Sequence, residues 1–409
     1  MNAGAGAAGR ALRSGRQREA LVDAVRLRLA EAGAQPGTSE VAAALRAQGH
    51  PYGATEVVEL VRQLRSEMVG AGPLDALLAD PAVTDVLVNG PNEVWMDRGS
   101  GLERVPGVRF ADRLAVRRLA QRLATAAGRR LDDARPWTDA RLPDGTRLHA
   151  VLPPVAVGCT HISLRVSRAR PFTLPELVRA GSVPEQGAAL LRAMVESRLS
   201  FLISGGTGSG KTTLLAALLG LAGPHERLLI VEDSAELRPD HPHVVRLEGR
   251  PPNQEGAGSV GLTELVRQAL RMRPDRLVVG EVRGAEVVDL LAALNTGHEG
   301  GCGTVHANAA ADVPARLEAL ASAAGLDRAS LHSQLASALD AVVHLGRDAS
   351  GRRRVAEVTL LRRGADGLVV SEPAVRFSAD GGMRRGSGWG RLAERCGLEE
   401  ERWTDGRVR

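Results

Sequence analysis

The chain has 409 residues, enough for two or three domains, and its 44% apolar content with only 2% aromatics points to cores built from Leu, Val and Ala. No uncharged apolar run approaches a membrane span, the Ala/Gly/Arg-rich start lacks a secretory apolar stretch, and scattered Cys159, Cys302 and Cys396 support neither a disulfide framework nor a cysteine zinc site. The formal charge of +5 permits nucleic acid or anionic lipid as a partner without requiring either, because arginines are spread along the chain, and a globular cytoplasmic protein is the expectation.

Residues 1–17 are small, polar and basic and read as disordered. Helices are expected over 18–35, 39–48 and 54–69, a helical region (18–70) that either packs on itself or docks onto a partner. From Gly72 the pattern changes to short strands. Residues 83–88 and 93–97 flank Asn89-Gly90-Pro91-Asn92, a hairpin or loop signal. A helix at about 112–127, strands on either side of Pro143-Asp144-Gly145, and a strand at 162–166 complete an α/β domain over 72–168. Two prolines within Arg170-Pro171-Phe172-Thr173-Leu174-Pro175 make 169–182 a linker. Strands and helices then alternate from 183 to about 347, which implies a mostly parallel sheet covered on both faces. Late edge strands at 355–361 and 367–371 close a domain over 183–377. Residues 378–409, rich in Gly, Arg and Glu, read as a flexible tail.

Inside the second domain, Gly205-Gly206-Thr207-Gly208-Ser209-Gly210-Lys211-Thr212 fits the phosphate-loop pattern G-x-x-x-x-G-K-[ST], with Thr213 following. Of 53 Lys and Arg residues, Lys211 alone is lysine. A compact ammonium can slide along such a loop to β- and γ-phosphate oxygens, whereas a planar guanidinium prefers fixed two-pronged contacts and crowds the cradle. An apolar strand (199–204) enters the loop and a helix leaves it, so backbone N–H groups and the helix dipole converge on an anion. A glycine-rich turn without a ligand is the bland alternative. Residues Gly205 to Thr213 are therefore candidate nucleotide contacts.

Three further segments carry chemistry. The strand 228–231 ends in Glu232-Asp233, with Glu236 beyond; acids at the carboxyl end of a parallel strand lie where ligands bind and suit Mg²⁺ or its waters. Capping of a following helix is the other reading. Glu281 lies just past a buried strand, positioned to accept a hydrogen bond from a water aimed at the γ-phosphorus, or else to pair with Arg283 on the surface. The box from Thr296-Gly297-His298 to His306-Ala307-Asn308 is a glycine-rich loop leading into a strand. Its histidines lack metal-type spacing, which leaves a polar γ-phosphate sensor against ordinary turn and core histidines.

In their order and spacing, the phosphate loop, Val231-Glu232-Asp233, Val279-Gly280-Glu281-Val282-Arg283 and the histidine box resemble secretion ATPases of the type II and type IV superfamily. Within it the chain looks most like the branch serving tight-adherence (Flp-type) pili and conjugal-transfer-associated systems. The likeness covers about 72–365 and implies a RecA-like P-loop ATPase domain preceded by a smaller N-terminal α/β domain, assembled as a homo-hexamer with ATP between the domains. In such rings N-terminal arginines reach the phosphates, and Arg141, Arg147 and Arg165 are the matching candidates. The resemblance also implies that Lys211 and Thr212 hold phosphate and Mg²⁺, that Glu281 activates water and that His306 senses nucleotide state. It further implies force delivered to an inner-membrane platform protein during pilus assembly or secretion, with peripheral attachment to the cytoplasmic membrane. A DNA-translocating motor built on the same core is the alternative. Two departures stand out: Gly280 occupies a place where many phosphate-loop ATPases carry an aspartate, and no four-cysteine metal module is present.

Overall fold

The computed structural model describes residues 21–399 and Trp403, apart from 23, 30, 33–35, 48–52, 69, 100, 167–169, 251, 253–256, 349–350 and 379. The segment 1–17, expected to be disordered, lies outside the described residues. The chain divides into two compact units, Met1–Arg168 and Ala169–Arg409.

In the first unit, helices Thr38–Ala47 and Ala54–Met68 carry apolar stripes that close on each other. Val41, Leu45, Leu60 and Leu64 form a small core there with Val22, Val25 and Leu29. A six-stranded antiparallel sheet follows, in the order β3-β2-β1-β6-β5-β4. Its strands are β1 Asp85–Gly90, β2 Glu93–Asp97, β3 Leu102–Arg104, β4 Trp137–Arg141, β5 Arg147–Val151 and β6 His161–Arg165. Alternation along β1, β5 and β6 buries Val86, Val88, Leu148, Ala150, Ile162 and Leu164 in one core with the helix Arg113–Ala126. Asp112 caps that helix, its Oδ1 accepting the Ala115 N–H at 2.6 Å. The other set of side chains on these strands falls on the opposite face. Register sets Arg141, Arg147 and Arg165 directly beside one another on β4, β5 and β6.

The second unit is built on a nine-stranded sheet, order β15-β14-β13-β12-β7-β11-β10-β8-β9. Its strands are β7 Phe201–Gly205, β8 Leu228–Glu232, β9 Val244–Glu248, β10 Arg276–Val282, β11 Cys302–Val305, β12 Ala341–Arg347, β13 Arg353–Arg363, β14 Val369–Phe377 and β15 Met383–Arg385. From β9 to β12 the neighbours run parallel, and β13, β14 and β15 add on antiparallel. Every residue of β7 and β8 is buried, as befits strands covered on both faces. One face packs Leu190, Leu191, Leu214 and Leu215 from helices Glu185–Glu196 and Lys211–Leu219. The other packs Val266, Leu290, Leu317 and Leu335 from Leu262–Leu270, Glu286–Leu294, Val313–Ala323 and Arg328–Ala338. Because the central strands are parallel, all their carboxyl ends emerge at one edge of the sheet.

Two expectations about this unit need correction. The span 169–182, read as a linker, contains the helix Leu174–Arg179, whose Leu174 and Leu177 belong to the core. Pro175 does not oppose it, since at the first turn a missing N–H leaves no bond unmade, and Thr173 with Glu176 forms a capping box. Likewise the tail assigned to 378–409 begins with β15 and the helix Trp389–Arg395. Met383, Trp389, Leu392 and Cys396 are buried in the same core as β7, and Arg395 pairs with Asp340 at 2.5 Å. A few well-spaced apolar side chains outweigh a Gly- and Arg-rich composition. The domain therefore extends past 377.

Candidate functional site

The phosphate loop leaves β7 at the carboxyl edge and enters the helix Lys211–Leu219. Gly205 is required sterically, because a Cβ there would stand 2.6 Å from the Leu345 carbonyl oxygen on β12 and 2.7 Å from the Ser209 hydroxyl. Gly206 is half-buried and Thr207 and Gly208 are exposed at the tip, while Ser209 and Lys211 are buried. Lys211 Nζ donates to the carbonyls of Gly205 at 2.9 Å and Gly206 at 3.0 Å. Burial pushes its pKa down; Glu281 opposes that shift and Arg283 adds to it. Thr212 and Thr213 follow in the first helical turn, after Gly210 in the left-handed region at φ 96°.

Glu281 sits near the end of β10, close enough to Lys211 and His306 for both charges to act on it. Burial pushes its carboxyl up, but the Arg283 hydrogen bond and charge, then Lys211 and His306, bring it below the ordinary carboxylate range. Arg283 Nη2 lies 2.5 Å from Glu281 Oε2. The ion pair with Arg283 is formed, and the carboxylate also lies within electrostatic reach of the loop lysine.

Glu232 ends β8 and is 5% exposed. Its Oε1 accepts the N–H groups of Glu236 at 3.1 Å and Leu237 at 3.0 Å, whereas Oε2 is buried with no partner. No helix follows directly, so the helix-capping alternative does not apply; the acid holds a loop instead. Asp233 is exposed and within electrostatic reach of Arg283. Gly280, on β10 beside Glu232, has a steric cause: a Cβ there would lie 2.5 Å from Glu232 Cγ. The neighbouring strand's glutamate fills the space a side chain at 280 would need. Among the described residues no group of three or more His, Cys, Asp and Glu is arranged to enclose a metal. An unpartnered buried carboxylate oxygen and a loop hydroxyl fit Mg²⁺, which prefers hard oxygen donors and keeps several waters and phosphate oxygens in its shell.

Burial, against the two loop N–H bonds, pushes the Glu232 pKa up from its ordinary 4.5 to about 7. An acid whose folded pKa is raised contributes stability that is fully present below about pH 4.5 and is lost as pH rises through about 7. The nucleotide-free protein is therefore expected to lose up to about 3 kcal/mol from this one group across that window. Glu232→Gln mimics the neutral acid and should flatten the slope, leaving the variant more stable than the parent at pH 8. Urea unfolding at pH 5 and pH 8 checks this; an unchanged difference between the two pH values in the variant would refute it.

The histidine box separates into two ends. His306 follows β11 at the carboxyl edge, near Glu281. His298 precedes β11, and a four-residue strand at ~3.3 Å per residue sets the two ends more than ~10 Å apart. His298 Nδ1 lies 3.1 Å from the Ala293 carbonyl at the end of a helix. Its loop is pinned from below: Arg198 donates to the Glu299 carbonyl at 3.4 Å, and the fully buried Arg276 is held by Glu226 at 2.7 and 3.0 Å. Of the two, His306 is the histidine at the edge that carries the loop, and His298 lies in a turn at the other end of β11.

The three N-terminal arginines share one row, beside a cleft of about 480 Å³ lined by Arg147, Arg165, Asp85, Asp97, Asp139 and His149. Arg165 Nε donates to Asp85 Oδ1 at 3.1 Å. Like charges directly across strands repel, and the aspartates that line the same cleft offset that repulsion.

Other residues at the carboxyl edge escape motif reading. Ser204, just before the loop, lies 2.9 Å from His344 Nδ1 on β12, and the Asn308 backbone also acts on that ring. Burial pushes His344 down, against Glu357, Asp312 and Asn308. Arg347 Nη2 donates to the Gly208 carbonyl at 3.2 Å. No local signal marks these pairs, because 140 and 139 residues separate the partners.

Residues 67–359 match the family described as type II/IV secretion system protein. A putative conjugal transfer protein of Mycobacterium tuberculosis is 58% identical over 337 residues, covering 81% of this chain and 95% of that protein. The probable conjugal transfer protein TrbB of Sinorhizobium fredii is 33% identical over 313 residues, covering 75% and 91%. Among solved structures, the ATPase DotB of Legionella pneumophila superposes with a TM-score of 0.51 at 20% identity, over 69% of this chain and 78% of that one, a likeness of fold. With a family match over most of its length, two such relatives and a complete phosphate loop in an α/β domain, the chain belongs to the type II/IV secretion system family and is one of its nucleotide-binding ATPases.

Proposed function

We propose that this ATPase is a hexameric, Mg²⁺-dependent motor that powers pilus assembly or secretion by working on a membrane platform protein from the cytoplasmic side. The observation that carries the reading is the meeting, at one sheet edge, of the loop lysine, a half-buried ionised carboxylate and His306, with Glu232 one strand away. Lys211 neutralises β- and γ-phosphate charge, and loop N–H groups cradle the remaining oxygens. Glu281 orients the attacking water and His306 reports loss of the γ-phosphate. Thr212 and Glu232, with Asp233 at the rim, hold Mg²⁺, which when bound withdraws charge from the phosphate oxygens. Arg141, Arg147 and Arg165 supply the phosphate-facing cations of the N-terminal domain, and rigid-body movement of the two domains transmits the work. No helix among the described residues is long and apolar enough to cross a membrane, so the platform protein supplies the membrane connection.

The Flp-type pilus branch is the assignment we favour. A DNA-translocating motor is the second reading, favoured by the charge of +5 and by relatives named for conjugal transfer. ATPase rate measured with and without single- and double-stranded DNA separates the two: a rate unchanged by DNA is expected, and strong stimulation would overturn the first reading. Light scattering with nucleotide should give six times the 43.1 kDa protomer, and a monomer under those conditions would reject the ring.

A further inference from the structure

The hairpin between β12 and β13 returns to the phosphate loop from the side away from Glu281. Since β12 runs parallel to β7 and adjoins it, Arg347 emerges at the same edge as the loop, and register sets Arg353 of β13 beside it. Arg347 props the loop tip through the Gly208 carbonyl at 3.2 Å and its own hairpin through the Gly351 carbonyl at 3.0 Å. Arg353 runs alongside the last turn of the loop: its Cδ lies 3.9 Å from where a Cβ on Gly210 would stand, and its Nε is shielded from solvent without a hydrogen-bond partner. Among the described residues neither arginine has a carboxylate partner. Two unneutralised guanidinium groups against a loop built for phosphate call for an anionic ligand.

Topology says which part of the ligand they meet. Glu281 lies on β10, on one flank of β7, and β12 lies on the other. A nucleotide seated in the loop with its γ-phosphate toward Glu281 directs its α-phosphate and nucleoside toward β12 and β13. We propose that Arg353 binds the α-phosphate end of the nucleotide and that Arg347 is a positioning residue that holds the loop open for it. The α-phosphate is present in ATP and ADP alike, so this contact serves binding and retention of product, not the chemical step. The inference rests on the phosphate loop being the nucleotide site.

The test uses the full chain and measures the dissociation constant for ADP, the KM for ATP, and thermal unfolding without nucleotide. Arg353→Gln should weaken ADP about tenfold and raise the KM for ATP by a similar factor, with the nucleotide-free melting temperature close to the parent's. Arg353→Lys keeps the charge but loses the fork, and should fall between the two; it also carries the test if the Gln variant does not fold. Lys211→Ala serves as the reference. If Lys211→Ala loses ADP while Arg353→Gln binds it as tightly as the parent, the role of Arg353 is wrong and the loop reading stands. If both variants bind ADP like the parent, the loop reading fails first. A loss at Arg353 confined to ATP, or a fall in kcat without weaker ADP binding, would also overturn the assignment.

Discussion

Replacing Glu281 with Gln is expected to lower the maximal ATPase rate by about a hundred- to ten-thousandfold while ATP and ADP still bind. The substitution keeps shape and removes charge. Burial works against ionisation of Glu281, yet Arg283, Lys211 and His306 together hold its carboxyl below the ordinary range, so it is charged throughout the neutral region. An ionised carboxylate at this place can fix a water by hydrogen bond and steer the nucleophile in line with the γ-phosphorus. An amide at the same place loses that charge-assisted bond. Arg283 is more than half exposed, so its lost ion pair costs little stability. Steady-state rates at saturating Mg-ATP, paired with equilibrium nucleotide binding, check both halves. A maximal rate within tenfold of the parent would remove Glu281 from the chemistry.

Lys211→Ala should act one step earlier and weaken nucleotide about a hundredfold or more, because two charge-assisted phosphate contacts are lost at once, each worth roughly 1.5–3 kcal/mol. The structure has Nζ seated between the Gly205 and Gly206 carbonyls, in a side chain only 9% exposed. A guanidinium is too broad for that seat, so Lys211→Arg is expected to be nearly as defective although the charge is conserved. Titration of ADP followed by calorimetry measures the loss, with circular dichroism to establish that the variants are folded. Normal ADP affinity in the Arg variant would show that the lysine is not held for its size.

These two residues were the most legible in the chain, for different reasons. Lys211 is marked by a contiguous motif whose spacing is a backbone requirement, and by its being the one lysine among 53 basic residues. Glu281 is marked as an acid near the end of an otherwise apolar, buried strand. Elsewhere local patterns compete. Thr173 and Glu176 form a capping box while the neighbouring prolines favour a linker; the helix forms because Leu174 and Leu177 reach the core. The glycines and arginines of the C-terminal segment favour a mobile tail, while Trp389 and Leu392 sit a helical turn apart and bury together. His298 and His306 belong to one box on paper and to opposite ends of β11 in space.

What the sequence determined by itself was the kind of chemistry: a phosphate cradle, acids at strand ends and a parallel sheet to carry them, all encoded by neighbours within a dozen residues, where backbone geometry and periodicity operate. Only the tertiary structure decided how those pieces are flanked. Glu232 occupies the space above Gly280, the three N-terminal arginines fall into one row, and Arg347 reaches Gly208 across 139 residues of chain. Strand order and register set these contacts, and they depend on the packing of both sheet faces at once, which no local stretch of residues contains.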